Sequence, residues 1–314
     1  MKSYVIATAA AAAMLTLAGC HHKDLEPYEP TGDLEVVFDW RNAPDATPAS
    51  MAFTMYPEAG GEAVAYMFEN RTGGSIRAAG GDYRALCLNS DITDWARLRN
   101  REAIETFEIQ TPDADELEAQ KLESRSLPRA RGAENERLAS TPGMLWGSVS
   151  DKVTVHPLGG HQVITMYPEE RVCHYTVDIL DVENTSSLRG ASLDATISGM
   201  AEGYLHGLGK ATETPVTMSF TLSAADDSNT LHGEFLTFGE CPTTKADHML
   251  SIYVALSNGS KTHFTTDVTT QVSDAADPTH VHIVVRGLKL PKIQQGGFHP
   301  NVKDWEHVEI NLIM

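Results

Sequence analysis

The sequence predicts an all-β protein built from two β-sandwich domains, and three observations carry that reading. Apolar and polar residues alternate over many short runs, the pattern of strands buried on one face. Glycine pairs and an Asn-Gly dipeptide punctuate the runs at hairpin spacing. A charged, unpatterned stretch at 111–142 separates two such halves.

The elements follow in chain order. Leu34, Val36, Phe38 and Trp40 fall on one face of a first strand, with Asp33, Glu35 and Asp39 on the other. Runs at 51–56, 63–68 and 83–88 read as further strands. Gly60-Gly61, Gly73-Gly74 and Gly80-Gly81 between them supply the positive backbone angles of turns. These elements make a first sandwich over 33–110. Thr111-Pro112 and then Asp113-Ala114-Asp115-Glu116 read as the cap of a short helix through Leu122. The run 124–137 then carries Arg125, Arg129, Arg131 and Arg137 without an apolar period, which predicts a linker over 111–142. A long solvated loop inside one domain is the alternative.

The second sandwich is expected over 143–314. Its strands are marked by Tyr175, Val177 and Ile179, by Val216, Met218, Phe220 and Leu222, and by Val281, Ile283 and Val285. Leu250, Ile252, Val254 and Leu256 lead through Ser257-Asn258-Gly259-Ser260 to Thr262, Phe264, Thr266 and Val268, a hairpin signature. Thr54-Met55-Tyr56-Pro57-Glu58 recurs as Thr165-Met166-Tyr167-Pro168-Glu169, an echo that points to duplication of a domain.

The N-terminus has the parts of a secretory signal. Lys2 is followed by an apolar, alanine-rich run at 5–17 that ends in Leu17-Ala18-Gly19-Cys20. The run is shorter than the ~20 apolar residues that span a bilayer. Leu-Ala-Gly-Cys resembles the lipobox of bacterial lipoproteins, which implies a signal peptide 1–19, lipid on the Cys20 thiol and a tether over 20–32. Each buried acyl methylene contributes ~0.8 kcal/mol, so several chains hold a protein on a membrane. Removing 1–19 takes away only Lys2 among charged residues and moves the net charge from −19 to −20. Such acidity argues against nucleic acid, whose phosphates require clustered Lys and Arg, and against anionic headgroups.

Chemistry is sparse. Beyond Cys20 the cysteines are Cys87, Cys173 and Cys241, with a Cys173–Cys241 bridge and three free thiols both open. His280 and His282 have the spacing of two metal ligands on a strand, yet no third ligand follows at a diagnostic distance, and a polar strand face is the better reading. His174 points across the pleat from Cys173, a poor dyad. No Gly-x-Ser-x-Gly elbow, phosphate loop or dinucleotide fingerprint occurs. The expectation is a protein that is not an enzyme, with no catalytic residue, metal or cofactor. Trp95 and Trp146, off the obvious strands, could stack on a glycan, although two separated tryptophans more often reflect local packing.

Taken together, the chain resembles the fimbrillin-related lipoproteins of Bacteroidota. The resemblance rests on Leu-Ala-Gly-Cys with its acidic spacer, on Glu35-Val36-Val37-Phe38-Asp39-Trp40, on the Gly-x-Tyr turn within Ala79-Gly80-Gly81-Asp82-Tyr83-Arg84-Ala85-Leu86-Cys87-Leu88-Asn89, and on Val302-Lys303-Asp304-Trp305-Glu306-His307-Val308-Glu309-Ile310. It implies two transthyretin-like, Greek-key sandwiches, an outer-membrane location and a part as anchor or minor subunit of a fimbria-like assembly. A surface lipoprotein that binds a glycan or host ligand is the alternative. Lys23-Asp24-Leu25-Glu26 resembles the acidic signal that sends such lipoproteins to the outer face. Related shaft subunits lose their first strand to an arginine-specific protease, and Arg41 follows this one. At the C-terminus Val308, Ile310, Leu312 and Met314 alternate onto one face. That strand is expected either to pair within its own domain or to be donated to a partner subunit.

Overall fold

Thr31–Phe38 (β1) is the strand the alternation predicts, with Leu34, Val36 and Phe38 buried and Trp40 buried in the turn that follows. Met51–Pro57 (β2), Val64–Phe68 (β3), Gly73–Ala79 (β4) and Gly81–Asn89 (β5) come next. The computed structural model describes residues 30–185, 192–224, 229–243, 247–255, 261–291 and 305–309. The expected signal peptide, Cys20, most of the tether and the Asn258-Gly259 turn lie outside them.

Gly73-Gly74, read above as a turn, instead opens β4, which pairs antiparallel with β1. Gly73 has φ +100°, and a Cβ there would stand 2.0 Å from the Val36 carbonyl oxygen. The glycine serves close approach of two backbones rather than chain reversal.

Arg97–Arg99 (β6), Glu108–Gln110 (β7), Glu116–Leu117 (β8), Leu122–Glu123 (β9) and Arg137–Ser140 (β10) are short. Trp146–Val155 (β11), Gln162–Met166 (β12) and Glu169–Glu170 (β13) then return to the first sandwich. β11 pairs with β5, and β12 lies parallel to β1. The sandwich is therefore β12-β1-β4 against β13-β11-β5-β2-β3. Its core joins Leu34, Val36, Phe38, Met51, Phe53 and Met55 to Val153, Val155 and Met166. The sheets thus divide the chain elsewhere than at the expected 33–110, 111–142 and 143–314. Both copies of the Thr-Met-Tyr-Pro-Glu echo fall in this one sandwich, in β2 and at the end of β12, so the echo does not mark two duplicated domains.

The second sandwich uses Cys173–Leu180 (β14), Ser192–Ala201 (β15) and, past Gly203–Leu205 (β16) and Lys210–Ala211 (β17), which join β7 and β6 in a separate four-stranded sheet, Pro215–Ala224 (β18) and Leu231–Thr237 (β19). Met249–Ala255 (β20), Lys261–Asp267 (β21), the helix Thr269–Ser273 (α1), His280–Arg286 (β22) and Trp305–Glu309 (β23) complete it. Hydrogen bonding runs in one path, β22-β14-β19-β18-β15-β20-β21-β23. β18 and β19 pair only at Ser223↔His232 and Ala224↔Leu231, so the path bends there into two layers. Phe220 and Phe235 stack between the layers at 4.2 Å. The expected hairpin of β20 and β21 is present, from Met249↔Asp267 to Ala255↔Lys261.

The helix expected through Leu122 is absent. Residues 116–123 form the β8–β9 hairpin, and Leu117 and Leu122 pack with Leu127, Leu138 and Tyr253. The amides of Ala119 and Gln120 donate to the Asp194 carboxylate at 2.8 and 2.9 Å. Those bonds satisfy the turn that a helix would otherwise have to cap. β10 lies parallel to β18. The stretch 111–142 is thus a strap bound to the second sandwich, held by leucines that have no helical period.

Where the sandwiches meet, β5 is buried on both faces. Ala85 and Cys87 face the first core, whereas Leu86 and Leu88 join Ile109, Leu145, Ala201 and Tyr204 between the domains. His206, fully buried, donates its Nε2–H to the Cys87 carbonyl at 2.9 Å, and its Nδ1 has no partner among the described residues. Burial lowers its pKa from 6.5 to about 4.

Two outcomes follow from these contacts. Trp40 donates to the Arg71 carbonyl and packs edge-on against Trp146 at 6.4 Å. Trp40→Ala should cost ~3–5 kcal/mol in denaturant unfolding, as a large-to-small core change. His206 stays neutral in the fold while the unfolded chain takes up a proton below pH 6.5. Its contribution is complete above that pH and is lost as pH falls toward about 4. His206→Gln should remove on the order of 3 kcal/mol of that acid-side loss, read as the difference between the two stability–pH curves. Parallel curves for variant and parent would refute a neutral buried His206.

Candidate functional site

His280 and His282, whose spacing would suit two metal ligands but which read better as a polar strand face, lie on the outer face of β22-β14-β19. His280 stacks on His174 at 5.0 Å, and Asp178 stands opposite His232. The Asp178 carboxylate accepts from His232 Nδ1 and His282 Nε2, each at 2.7 Å. The His232 bond holds the Asp178 carboxyl below the usual carboxylate range, and Asp178 in turn raises the pKa of His232. His280 turns to Asp277 and Thr279 instead. Among the described residues no three His, Cys, Asp or Glu side chains are arranged to hold a metal ion. His280 and His282 belong to a polar strand face whose groups satisfy one another.

Nucleophiles are no better placed. Among the described residues Cys87, Cys173 and Cys241 form no disulfide. Burial pushes the Cys87 and Cys173 thiols up to about 11, so neither is a thiolate at neutral pH. His174 is engaged with Glu170, away from the Cys173 sulfur. Ser273, Glu240 and His248 do come together, a cluster scattered in sequence and not foreseen there. Both Ser273 Oγ (3.0 Å) and His248 Nε2 (3.2 Å) meet Glu240 Oε2. The carboxylate, not the imidazole, is next to the hydroxyl, which is the wrong order for nucleophilic activation.

Neither tryptophan singled out for glycan stacking is a free platform. Trp146 opens β11 and packs on Trp40. Trp95 packs into the cluster between the domains, where a Cβ on Gly143 would lie 2.4 Å from its Nε1. Among the described residues the exposed large aromatic is Tyr167, 42% exposed. In the sequence it was hidden inside the echo, where its counterpart Tyr56 is buried.

Sheet edges are another place where a partner could be met. At one end Gln271 of α1 donates to the Val284 carbonyl (3.0 Å) and accepts from its amide (2.7 Å), closing β22 as a neighbouring strand would. At the other end β23 lies parallel to β21. Trp305 fastens it, donating to the Ser126 carbonyl at 2.9 Å and meeting Tyr253 edge-on at 5.4 Å. Val308 is 38% exposed and in register with Phe264. Its expected companions Ile310, Leu312 and Met314 lie outside the described residues, as does Cys20.

Comparison with known proteins places this geometry. A family model described as a domain of unknown function (DUF5119) matches residues 19–221. No curated protein matches the chain. A candidate adhesin from Bacteroides ovatus ATCC 8483 superposes with a TM-score of 0.64 at 19% identity, over 89% of this chain and 99% of that one. The fimbrial anchor protein Mfa2 from Porphyromonas gingivalis gives 0.47 at 14%, over 81% and 89%. A candidate polysaccharide-binding protein from Bacteroides thetaiotaomicron VPI-5482 gives 0.49 at 9%, over 82% and 91%. The all-β, β-sandwich fold and the likeness to adhesin-type proteins of Bacteroidota, both read from the sequence, are borne out.

Deletion of 302–314 tests the docked edge. Losing the Trp305 contacts should lower the melting temperature by several degrees, at ~2–4 °C per kcal/mol for a domain of this size. Unchanged melting would show that β23 contributes nothing to its own domain.

Proposed function

Because the chain belongs to the DUF5119 family, whose description assigns no activity, we propose from its fold and surfaces that it is a non-catalytic lipoprotein of the outer membrane, facing the cell surface, and an anchor or minor subunit of a fimbria-like assembly. The observation that carries this reading is a two-sandwich fold shared with a Bacteroides adhesin candidate over nearly the whole of both chains. Leu17-Ala18-Gly19-Cys20 supplies the means of attachment. The only candidate catalytic cluster among the described residues is ordered against catalysis.

The geometry favours anchor over shaft subunit. β1 is the middle strand of its sheet, paired with both β4 and β12, and Arg41 behind it is exposed and paired with Asp39. Cleavage there would remove Leu34, Val36 and Phe38 from the core. An anchor keeps this strand. Assembly with fimbrial subunits by strand exchange would require β23 to leave β21. A second reading, a surface protein that holds a glycan, is favoured by one observation, the exposed Tyr167 in a cleft between the sandwiches.

Metabolic labelling with a palmitate analogue should mark the protein, and Cys20→Ser should abolish the label and release the protein from membranes. The mature N-terminus should be Cys20. Retention of label and membrane association in Cys20→Ser would end the lipoprotein reading, and a mature N-terminus at Asn42 would make the protein a polymerising subunit.

A further inference from the structure

We propose that the cleft between the two sandwiches binds a neutral oligosaccharide, one sugar ring stacking on Tyr167. The proposal deepens the second reading above and rests on it. The cleft holds about 470 Å³, within the ~300–1,000 Å³ of small-ligand sites. One wall is β11 with the end of β12, and the other is Gly207, Leu208 and Gly209 in the turn between β16 and β17, part of the small sheet at the junction of the sandwiches.

Tyr167 is a prepared surface rather than a stray exposed ring. Arg41, which is not part of the cleft wall, lies 4.8 Å over its ring and is itself held by Asp39 through Nε at 3.0 Å. A ring steadied by a cation on one side keeps its orientation, and the apolar C–H face of a pyranose stacks on such a surface. Leu208, 46% exposed, adds an apolar contact from the opposite wall.

Hydrogen-bonding groups flank the ring. The β11–β5 register breaks between Ser150 and Val153. Bulges of this kind re-aim side chains beside binding sites, and here the bulge contains Asp151. Its side chain is 94% exposed, lines the cleft and meets Arg84 only at 4.0 Å. Glu169 gives one oxygen to Arg171 at 2.8 Å, and Arg171 is held in turn by the Gly147 carbonyl at 3.2 Å. A carboxylate with unspent lone pairs accepts two neighbouring hydroxyls. An aromatic face beside such acceptors fits a ring that is apolar on its faces and hydroxylated at its rim. The same carboxylates repel anionic sugars, and the cation in the wall, Arg171, is already paired.

Isothermal titration of the full mature chain with cellohexaose, mannohexaose, maltohexaose, xylohexaose and the anionic hexagalacturonate tests the site. At least one neutral hexasaccharide should bind and hexagalacturonate should not. Tyr167→Ala should weaken binding by about tenfold or more, and Asp151→Ala should weaken it too. The melting temperature of each variant is measured beside its affinity, and that of Asp151→Ala, at a 94% exposed side chain, should stay unchanged, which separates lost affinity from lost fold. Leu158→Ala, at a loop tip outside the cleft, should bind like the parent. Affinity that survives Tyr167→Ala would overturn this site while leaving the glycan reading standing. Preference for hexagalacturonate would overturn the neutral specificity. Failure of every neutral hexasaccharide at millimolar concentration would overturn both the site and the glycan reading. The anchor reading is separate, since it is decided by Cys20→Ser.

Discussion

The return of the chain at 146–166 is the constraint on which the rest of the structure depends. Without β11 and β12, strands β5 and β1 each lose one of their two neighbours and become sheet edges, and the core lacks Val153, Val155 and Met166. The return also places Gly147 against Leu88 at the junction. A Cβ there would lie 2.4 Å from both the Cys87 carbonyl oxygen and His206 Cε1. Only glycine admits strand, carbonyl and imidazole at one point. His206 then crosses from the second domain to bond the first, and a buried imidazole with one orphan nitrogen is tolerated because Nε2 is satisfied and the ring is neutral. The junction is specified by close packing around Gly147 together with the His206 bond and the Arg171 bonds to the Gly147 carbonyl and the Tyr204 hydroxyl.

A similar economy governs the strap. Asp194 is fully buried in β15, and desolvation raises its pKa although two amides favour the carboxylate. Its partners come from residues 119 and 120, so the acid both demands and positions the hairpin turn. Gln120 extends the contact, donating to the Tyr253 carbonyl at 3.3 Å and accepting from the Ala255 amide at 2.6 Å. A charged-looking stretch is thereby fixed to a sheet by backbone polarity in its turn and by four leucines beneath.

These two devices explain which parts of the fold were legible in the sequence. Strands such as β1, β14 and β22 face water on one side, so their alternation shows directly which residues are buried. β5 was legible as a strand but not as a junction, because burial on both faces erases the alternation. The Gly73-Gly74 pair resembles a turn because a glycine required where two backbones approach, here also at φ +100°, carries the same letter as one that reverses the chain. The strap misled for another reason. Pro112 and the acidic run after it are cap signals, yet the competing acceptor, Asp194, stands far along the chain and leaves no local mark. Of the residues weighed for a site, His280 and His282 fall on the polar face the sequence predicts, whereas the sequence leaves Trp95 and Trp146 open between packing and glycan stacking because their partners Gly143 and Trp40 are distant along the chain.

The distribution of satisfied and unsatisfied polar groups narrows where a partner can act. On the outer face of the second sandwich the imidazoles and carboxylates are paired with one another, so a ligand would have to break existing bonds to gain its own. The edge of β22 is closed by a side-chain amide and that of β21 by β23. The concave junction differs in kind. It is formed by a strand bulge and a turn whose backbones are fixed by packing elsewhere, while Asp151, Tyr167 and Leu208 stand open to solvent above them. Rigid support beneath exposed, chemically mixed side chains lowers the ordering cost that binding must overcome. Two sandwiches joined by a returning strand pair produce such a concavity as a by-product of closing the first core. A single sandwich of the same composition would offer only convex sheet faces and loops.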